Sequence, residues 1–235
     1  MFKVIYKPVG LTPKQLQFKN NLNNYFHTGN LDMVASGKMF FVHFRLRFLE
    51  KFLKKLKKEY TFELICGYST DTHDVFGLIT NVGSSKYIPK HKFKKSLNKL
   101  KKLNFQVPPK VSYKNLNTKA KLINFLSGKK LKNLPKKPVK LINYKYWGYK
   151  KLSKNNLIKT IDSQINSVSI NSRKLQIKNS YKITYNNLPN TIYLYNFKVK
   201  VSGGYYIRSL CRDLEKLLNT NFTVINLTRT KFKLF

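Results

Sequence analysis

The sequence predicts a mixed α/β chain, because two kinds of apolar spacing occur in it and its length allows one large core. Tyr60, Phe62 and Leu64 alternate as a half-buried strand does, and so do the residues from Ile192 to Val201. Phe44, Phe48, Leu49, Phe52, Leu53 and Leu56 instead recur at helical spacing. The 235 residues can bury a single core, so one domain over residues 1–235 is expected.

The elements follow in order. Lys3 to Tyr6 reads as a strand, and KPVGLT, from Lys7 to Thr12, turns it into a helix with Thr12 as N-cap and Pro13 at the first helical position. Next comes FHTGNLDMVASGKMF, Phe26 to Phe40, which sets Asp32 among small residues that let a substrate approach the backbone. Leu31, Val34 and Met39 are spaced to anchor this loop in a core. A carboxylate held that way can act as nucleophile or general base, and the alternative for the isolated loop is an Asx turn. His43 to Lys58 is expected to form a core-facing helix with a basic outer face. It runs into KEYTFELICGYSTDTHDVFG, Lys58 to Gly77, a strand followed by a turn with too few oxygen ligands for a metal loop. Pro89 opens a helix through about Leu103, and Lys136 to Tyr149 is strand-like.

Lys150 to Pro189 is rich in Lys, Asn and Ser with irregular apolar spacing, and reads as a solvated low-complexity extension. After the strand to Val201, SGGYYIRS turns sharply into a helix whose face carries Ile207, Leu210, Leu214 and Leu217. Thr223 to Phe232 closes the chain as a strand.

Composition narrows the partner class. The formal net charge is +38, from 47 basic and nine acidic residues, which favours a polyanion without selecting a sequence. Only six of the bases are arginine, so much of the charge is lysine of the kind an AT-rich genome favours, and each arginine is correspondingly informative. No run approaches the ~18 apolar residues of a spanning helix, and Met1 to Val9 has no long apolar region, so neither a membrane nor a signal peptide is expected. Cys66 and Cys211 suit buried thiols in a reduced, cytoplasmic protein. His27, His43, His73 and His91 show no ligand spacing with them, so no metal is expected.

HTGNLDMVASGKM resembles the catalytic motif of the TruB family, the pseudouridine synthases that modify uridine 55 in the T-loop of tRNA, whose pattern is GHTGxLDPxAxGxL. Phe26 stands for its first glycine and Met33 for its proline. Four further stretches are similar to family elements in the same order. They are KP at Lys7 and Pro8, then K-x-Y with TDTHD from Lys58 to Gly77, then QVPPKVS from Gln106 to Ser112, and SGGYYIRSLCRDL from Ser202 to Leu214 with LTR closing at Arg229. Tyr113 and Thr118 replace the family's alanine and glycine, and Gly203 replaces its lysine.

The resemblance implies a pseudouridine synthase fold, a large mixed and mainly antiparallel sheet flanked by helices with a central RNA-binding cleft, and, because the family crosses about 150–189 with fewer residues, an inserted or elongated hairpin there. It implies Asp32, Tyr60 and Arg208 as catalytic residues, with Arg208 keeping the Asp32 carboxylate ionised. It also implies His27, Tyr206, Lys7, Leu227 and Arg229 as substrate-binding residues. His27 would enter the space left by the flipped base, Tyr60 would stack on that base and Tyr206 would wall the pocket. No cofactor is expected, because the isomerisation has no redox change. The expected partner is the T-arm of tRNA, bound by a monomer, since the closing strand is followed only by Lys233, Leu234 and Phe235 and leaves no C-terminal PUA-like domain. A second reading is a non-catalytic basic RNA-binding protein or tRNA-folding chaperone of the same fold. A guide-RNA-dependent synthase is disfavoured by the same missing C-terminal domain.

Overall fold

The computed structural model describes residues 1–109, 134–168 and 171–233. In chain order these form β1 (Phe2–Lys7), α1 (Pro13–Lys19), β2 (Tyr25–Thr28), β3 (Ala35–His43), α2 (Glu50–Lys55), β4 (Lys57–Cys66), β5 (Tyr68–Thr70) and β6 (Ile79–Val82). They continue with α3 (Lys90–Lys101), β7 (Phe105–Gln106), β8 (Lys137–Pro138), β9 (Leu141–Ser153), α4 (Lys154–Asn166), α5 (Asn171–Thr184), β10 (Thr191–Val201), α6 (Ile207–Leu218) and β11 (Phe222–Lys233).

One seven-stranded sheet dominates, in the order β1-β3-β11-β4-β10-β9, with β2 added to β3. Its ladders are antiparallel apart from β11 on β3, which is parallel and short. The fold is therefore the expected α+β arrangement of a mixed, mainly antiparallel sheet with helices. β4 lies at its middle and is buried on both faces from Lys58 to Cys66 except at Thr61 and Glu63, more fully than a half-buried strand requires. β5 with β6, and β7 with β8, make two small satellite pairs.

Helices α3 and α6 cover the sheet. Phe93 of α3 is fully buried, with its ring 4.8 Å from Tyr195, 5.2 Å from Phe197 and 5.7 Å from Tyr146. Burial of so many aromatic rings around one helix is a large apolar contribution to the core. The first helix starts as expected: Thr12 accepts from the amide of Gln15, Gln15 returns a side-chain bond to the Thr12 amide, and Pro13 opens the turn. The Pro89 helix is also present, with Pro89 as its cap. Both thiols are buried and unpaired with one another.

Three expectations are corrected. His43 to Lys58 is not one core-facing helix. A 3-10 turn spans Phe44–Leu49 with a kink at Leu46, α2 follows, and Lys57 already begins β4. Only Leu53 of this stretch's apolar residues is buried, and Phe44, Phe48 and Phe52 face solvent. The reason is that the strand to come must start at Lys57, which leaves too little chain for a long helix. Leu217, placed on the buried face of α6, is exposed near that helix's end. Ser112, Tyr113 and Thr118 lie outside the described residues.

The third correction concerns Lys150 to Pro189, expected as a solvated hairpin. It completes β9 and then forms the helices α4 and α5, with Leu157, Ile161, Ile165, Ile177 and Tyr181 buried. The i, i+4, i+8 spacing of Leu157, Ile161 and Ile165 is helical, but lysine and asparagine around it hide the pattern. These helices brace loops. The Tyr181 hydroxyl donates to the Val75 carbonyl and contacts the Tyr68 hydroxyl at 3.2 Å, and the backbone of Ser167 packs where a Gly10 side chain would stand.

Truncating Ile161 to alanine is therefore expected to lower stability by about 2–5 kcal/mol, as for other buried aliphatic residues. Urea unfolding of the two proteins measures it. A loss near zero would return the segment to the solvated surface.

Candidate active site

Asp32 lies in the loop between β2 and β3. Leu31 and Val34 on either side of it, and Met39 in β3, are buried, as their spacing predicted. The Gly10 amide donates to the Met33 carbonyl at 2.9 Å and the Ala35 amide to the Asp32 carbonyl at 3.0 Å. The carboxylate itself reaches across the fold to α6. Arg208 donates to its Oδ2 from Nε at 2.9 Å and from Nη2 at 2.8 Å.

Arg208 is 4 % exposed and sits between two acids, because its Nε is also 3.4 Å from Asp74 Oδ2. Its Nη1 donates to the Thr72 carbonyl at 3.3 Å. Burial disfavours the cation, and the charges of Asp32 and then Asp74 more than offset that, so its pKa lies above the usual arginine value. Asp74 is pushed up by burial, which Arg208 and the Thr72 hydroxyl partly oppose. The TDTHD turn is thus a scaffold, as expected, but also the source of a second carboxylate. Thr72 Oγ1 and the Phe76 amide donate to Asp74 Oδ1 at 2.8 and 2.9 Å, and Asp71 accepts from the Leu78 amide at 2.8 Å. Gly77 has no room for a Cβ, which would stand 2.4 Å from Thr72 Oγ1. With only nine acids in the chain, two inside TDTHD were the available signal for this role.

A cleft of about 480 Å³ opens in front of Asp32. His27, Tyr60, Tyr206 and Leu227 line it together with Asp32, so five of the eight expected site residues meet there. Lys54, Lys55 and Lys58 add positive charge to its wall. Tyr206 precedes α6, and its backbone is held at both ends by buried Gln106, which accepts from its amide at 2.9 Å and donates to its carbonyl at 3.0 Å. Gln106 was visible in the sequence only as the residue ahead of Val107 and two prolines. Gly203, where the family pattern has lysine, abuts α2 so closely that a Cβ would stand 2.1 Å from the Lys54 carbonyl oxygen.

Burial, then Lys54 and Arg229, lower the His27 pKa, and its Nδ1 is buried with no hydrogen-bond partner among the described residues. A neutral imidazole is a flat ring with one N–H donor and one bare nitrogen acceptor. Burial raises the Tyr60 pKa, and the neighbouring Arg229 guanidinium opposes it, so the phenol keeps its proton at ordinary pH.

Lys7 and Arg229 are not among the residues that line the cleft. Arg229 is 1 % exposed and staples both flanks of the Asp32 loop: Nη1 donates to the Gly29 carbonyl at 2.8 Å, and Nη2 to the Lys38 carbonyl at 2.9 Å. Gly37 must lack a side chain here, because its φ is +128° and a Cβ would meet the Arg229 carbonyl oxygen at 2.4 Å. Lys7 is also fully buried, donating to the carbonyls of Pro8 at 2.9 Å and Leu11 at 2.8 Å. Both bond backbone carbonyls from buried positions.

Burial brings the Lys7 pKa down to about 7, with the Asp32 charge acting against that fall. Between about 7 and the ordinary value of 10.5 the unfolded chain holds this proton and the folded chain does not. Stability should therefore rise with pH across that window, while below it the full cost of burying the cation remains. Urea midpoints of the protein and of Lys7→Met at pH 6.5 and 9.5 test this: the gain on raising pH should shrink in the variant. Equal gains would show that the titration belongs to other groups.

The sequence model of the TruB family pseudouridylate synthase N-terminal domain matches residues 19–157. The tRNA pseudouridine synthase B of Mycoplasma mobile is 29% identical over 205 residues, covering 87% of this chain and 58% of that protein. Its namesake in Mesomycoplasma hyopneumoniae is 27% identical over 235 residues, covering 98% of this chain and 60% of that protein. The chain thus spans about three-fifths of the length of these curated relatives. Among solved structures, that of a Cbf5-Nop10-Gar1 complex superposes with a TM-score of 0.52 at 16% identity, over 97% of this chain and 48% of that one, a likeness of fold.

Proposed function

The chain belongs to the TruB family of pseudouridylate synthases, and from that premise we propose that it isomerises a uridine of tRNA, position 55 in the T-loop, to pseudouridine. The observation that carries this reading is the Asp32 carboxylate, which faces an open cleft while a buried arginine holds it from behind. The relatives named tRNA pseudouridine synthase B support tRNA as the substrate class.

The reaction breaks the bond from ribose C1′ to N1, turns the base in the cleft, and joins C1′ to C5. N1 gains a proton and C5 loses one to solvent, so atoms balance without a cofactor. Asp32 acts on the ribose, as nucleophile at C1′ or as base at C2′, and either route needs the carboxylate aimed at the sugar. Arg208 fixes that aim through two bonds to one oxygen. Tyr60 stacks on the turned base and stands near the departing C5 proton, and Tyr206 and Leu227 form the walls. Extruding a base costs a few kcal/mol of stacking, which His27 offsets by filling the vacancy.

Tritium released from C5-labelled, unmodified tRNA measures turnover. Asp32→Asn is expected to bind tRNA normally and release nothing above the no-enzyme control, because it keeps the shape and removes the reactive carboxylate. Arg208→Lys should lose most activity at unchanged net charge, since one ammonium cannot reproduce a fork that meets Asp32, Asp74 and the Thr72 carbonyl together. Tight tRNA binding by the unaltered protein without any release would instead favour the non-catalytic RNA-binding role.

A further inference from the structure

The stretch from Phe44 to Lys55 presents three phenylalanines to water. Phe44 is 43% exposed, Phe48 75% and Phe52 51%, at four-residue spacing, while the inward side of the same stretch is leucine. Five cations are interleaved with them, Arg45, Arg47, Lys51, Lys54 and Lys55, against one acid, Glu50, which is already paired with Arg47 and Lys54. Phe26 stacks on Phe44 with ring planes 18° apart, and the Arg47 guanidinium lies 5.9 Å over the Phe44 ring. Exposed rings of this size are costly in water unless something covers them.

The place of the surface indicates what covers it. Glu50, Lys54 and Lys55 of α2 line the cleft in front of Asp32, and α2 packs on Gly203 at the turn into α6. The surface is therefore the lip of the site. A nucleotide that leaves its stack to enter the cleft deprives its neighbours of stacking. Each brings one flat π face and one phosphate, the pairing that alternating rings and cations meet.

We propose that Phe44, Phe48 and Phe52 form a stacking platform for the unpaired nucleotides that adjoin the extruded one, with the interleaved arginines and lysines holding their phosphates. The proposal rests on the RNA substrate argued above and assigns that substrate's flanking, single-stranded bases to this surface.

The test compares two RNA probes, an unmodified T-arm stem-loop and a blunt duplex of equal length and charge, in the 235-residue chain carrying Asp32→Asn so that nothing is converted. Phe44, Phe48 and Phe52 are changed together to leucine, which keeps apolar bulk and removes the π faces. Stem-loop affinity is expected to weaken by about tenfold or more, with duplex affinity and the salt dependence of both unchanged because every cation remains. Phe48→Trp should bind the stem-loop at least as well as phenylalanine, which guards against a leucine variant that simply misfolds.

Equal losses for both probes, or no loss for either, would overturn the platform. So would binding to phosphatidylglycerol vesicles that the leucine variant retains while stem-loop affinity stays unmoved, since that outcome assigns the surface to a membrane. The readout is affinity alone, so a protein that binds but releases no tritium would refute the proposed reaction and leave this comparison intact.

Discussion

A guanidinium buried as deeply as that of Arg208 must be met by negative charge, and most of the site follows from that requirement. Removing an ion from water costs several kcal/mol after relaxation, so an unmatched arginine here would expel itself or unfold its surroundings. The match comes from two loops distant in sequence. Asp32 is delivered by the loop entering β3, Asp74 by the turn after β5, and each is fixed by its own set of backbone bonds before it meets the cation. Breaking either delivery leaves a buried charge short of a partner. The same constraint explains why α6 begins where it does. Gln106 clamps Tyr206, and the absence of a side chain at Gly203 lets the turn press against α2, so Arg208 enters on the first turn of its helix with its fork aimed inward.

Charge in this chain does two separate jobs. Lysine, the great majority of the bases, covers the surface and supplies the attraction any polyanion would feel. Three of the six arginines stand where a planar fork satisfies several acceptors at once: Arg208 between two carboxylates, Arg229 between the carbonyls of Gly29 and Lys38, and Arg212 on Asp213 and the Val107 carbonyl. Lys7 and Lys58 depart from this division, both being buried; Lys7 donates to two backbone carbonyls, and burial lowers its pKa to about 7.

What the sequence disclosed was the set of residues tied to local chemistry. Thr12 and Pro13 announce a helix start, and Leu31, Val34 and Met39 announce an anchored loop, because capping and burial act over a few residues. The roles of Arg229 and Lys7 were not legible, since both depend on register across the sheet: Lys7 pairs with Gly37, Gly37 with Arg229, and Arg229 with Tyr60. That row belongs to four strands, β1, β3, β11 and β4, the last of them far from β11 in sequence. The helices α4 and α5 were missed for a different reason. Their apolar residues are correctly spaced, yet lysine and asparagine between them dilute the pattern below what spacing alone can resolve. Phe44, Phe48 and Phe52 were misplaced in the core because periodicity reports a face and not the side on which it lies.

The geometry also explains why the cleft opens at one point of a continuous sheet. β11 is irregular between Ile225 and Thr228, where Asn226 adopts a left-handed φ of 53° and the ladder to β4 is interrupted. On one side of that break, Val224 forms a bridge with Asp74; on the other, Leu227 begins the parallel pairing with Ala35, three residues after Asp32. A regular β11 would have bonded β4 without interruption and kept the two loops on separate registers. With the interruption, both are gathered onto four consecutive residues of a single strand. The two carboxylates thereby come close enough to share one arginine, and Leu227 is turned to form the cleft wall opposite it. An asparagine tolerates the left-handed backbone far better than a β-branched residue would, so one side-chain choice in β11 underlies the meeting of the acids that the buried arginine needs.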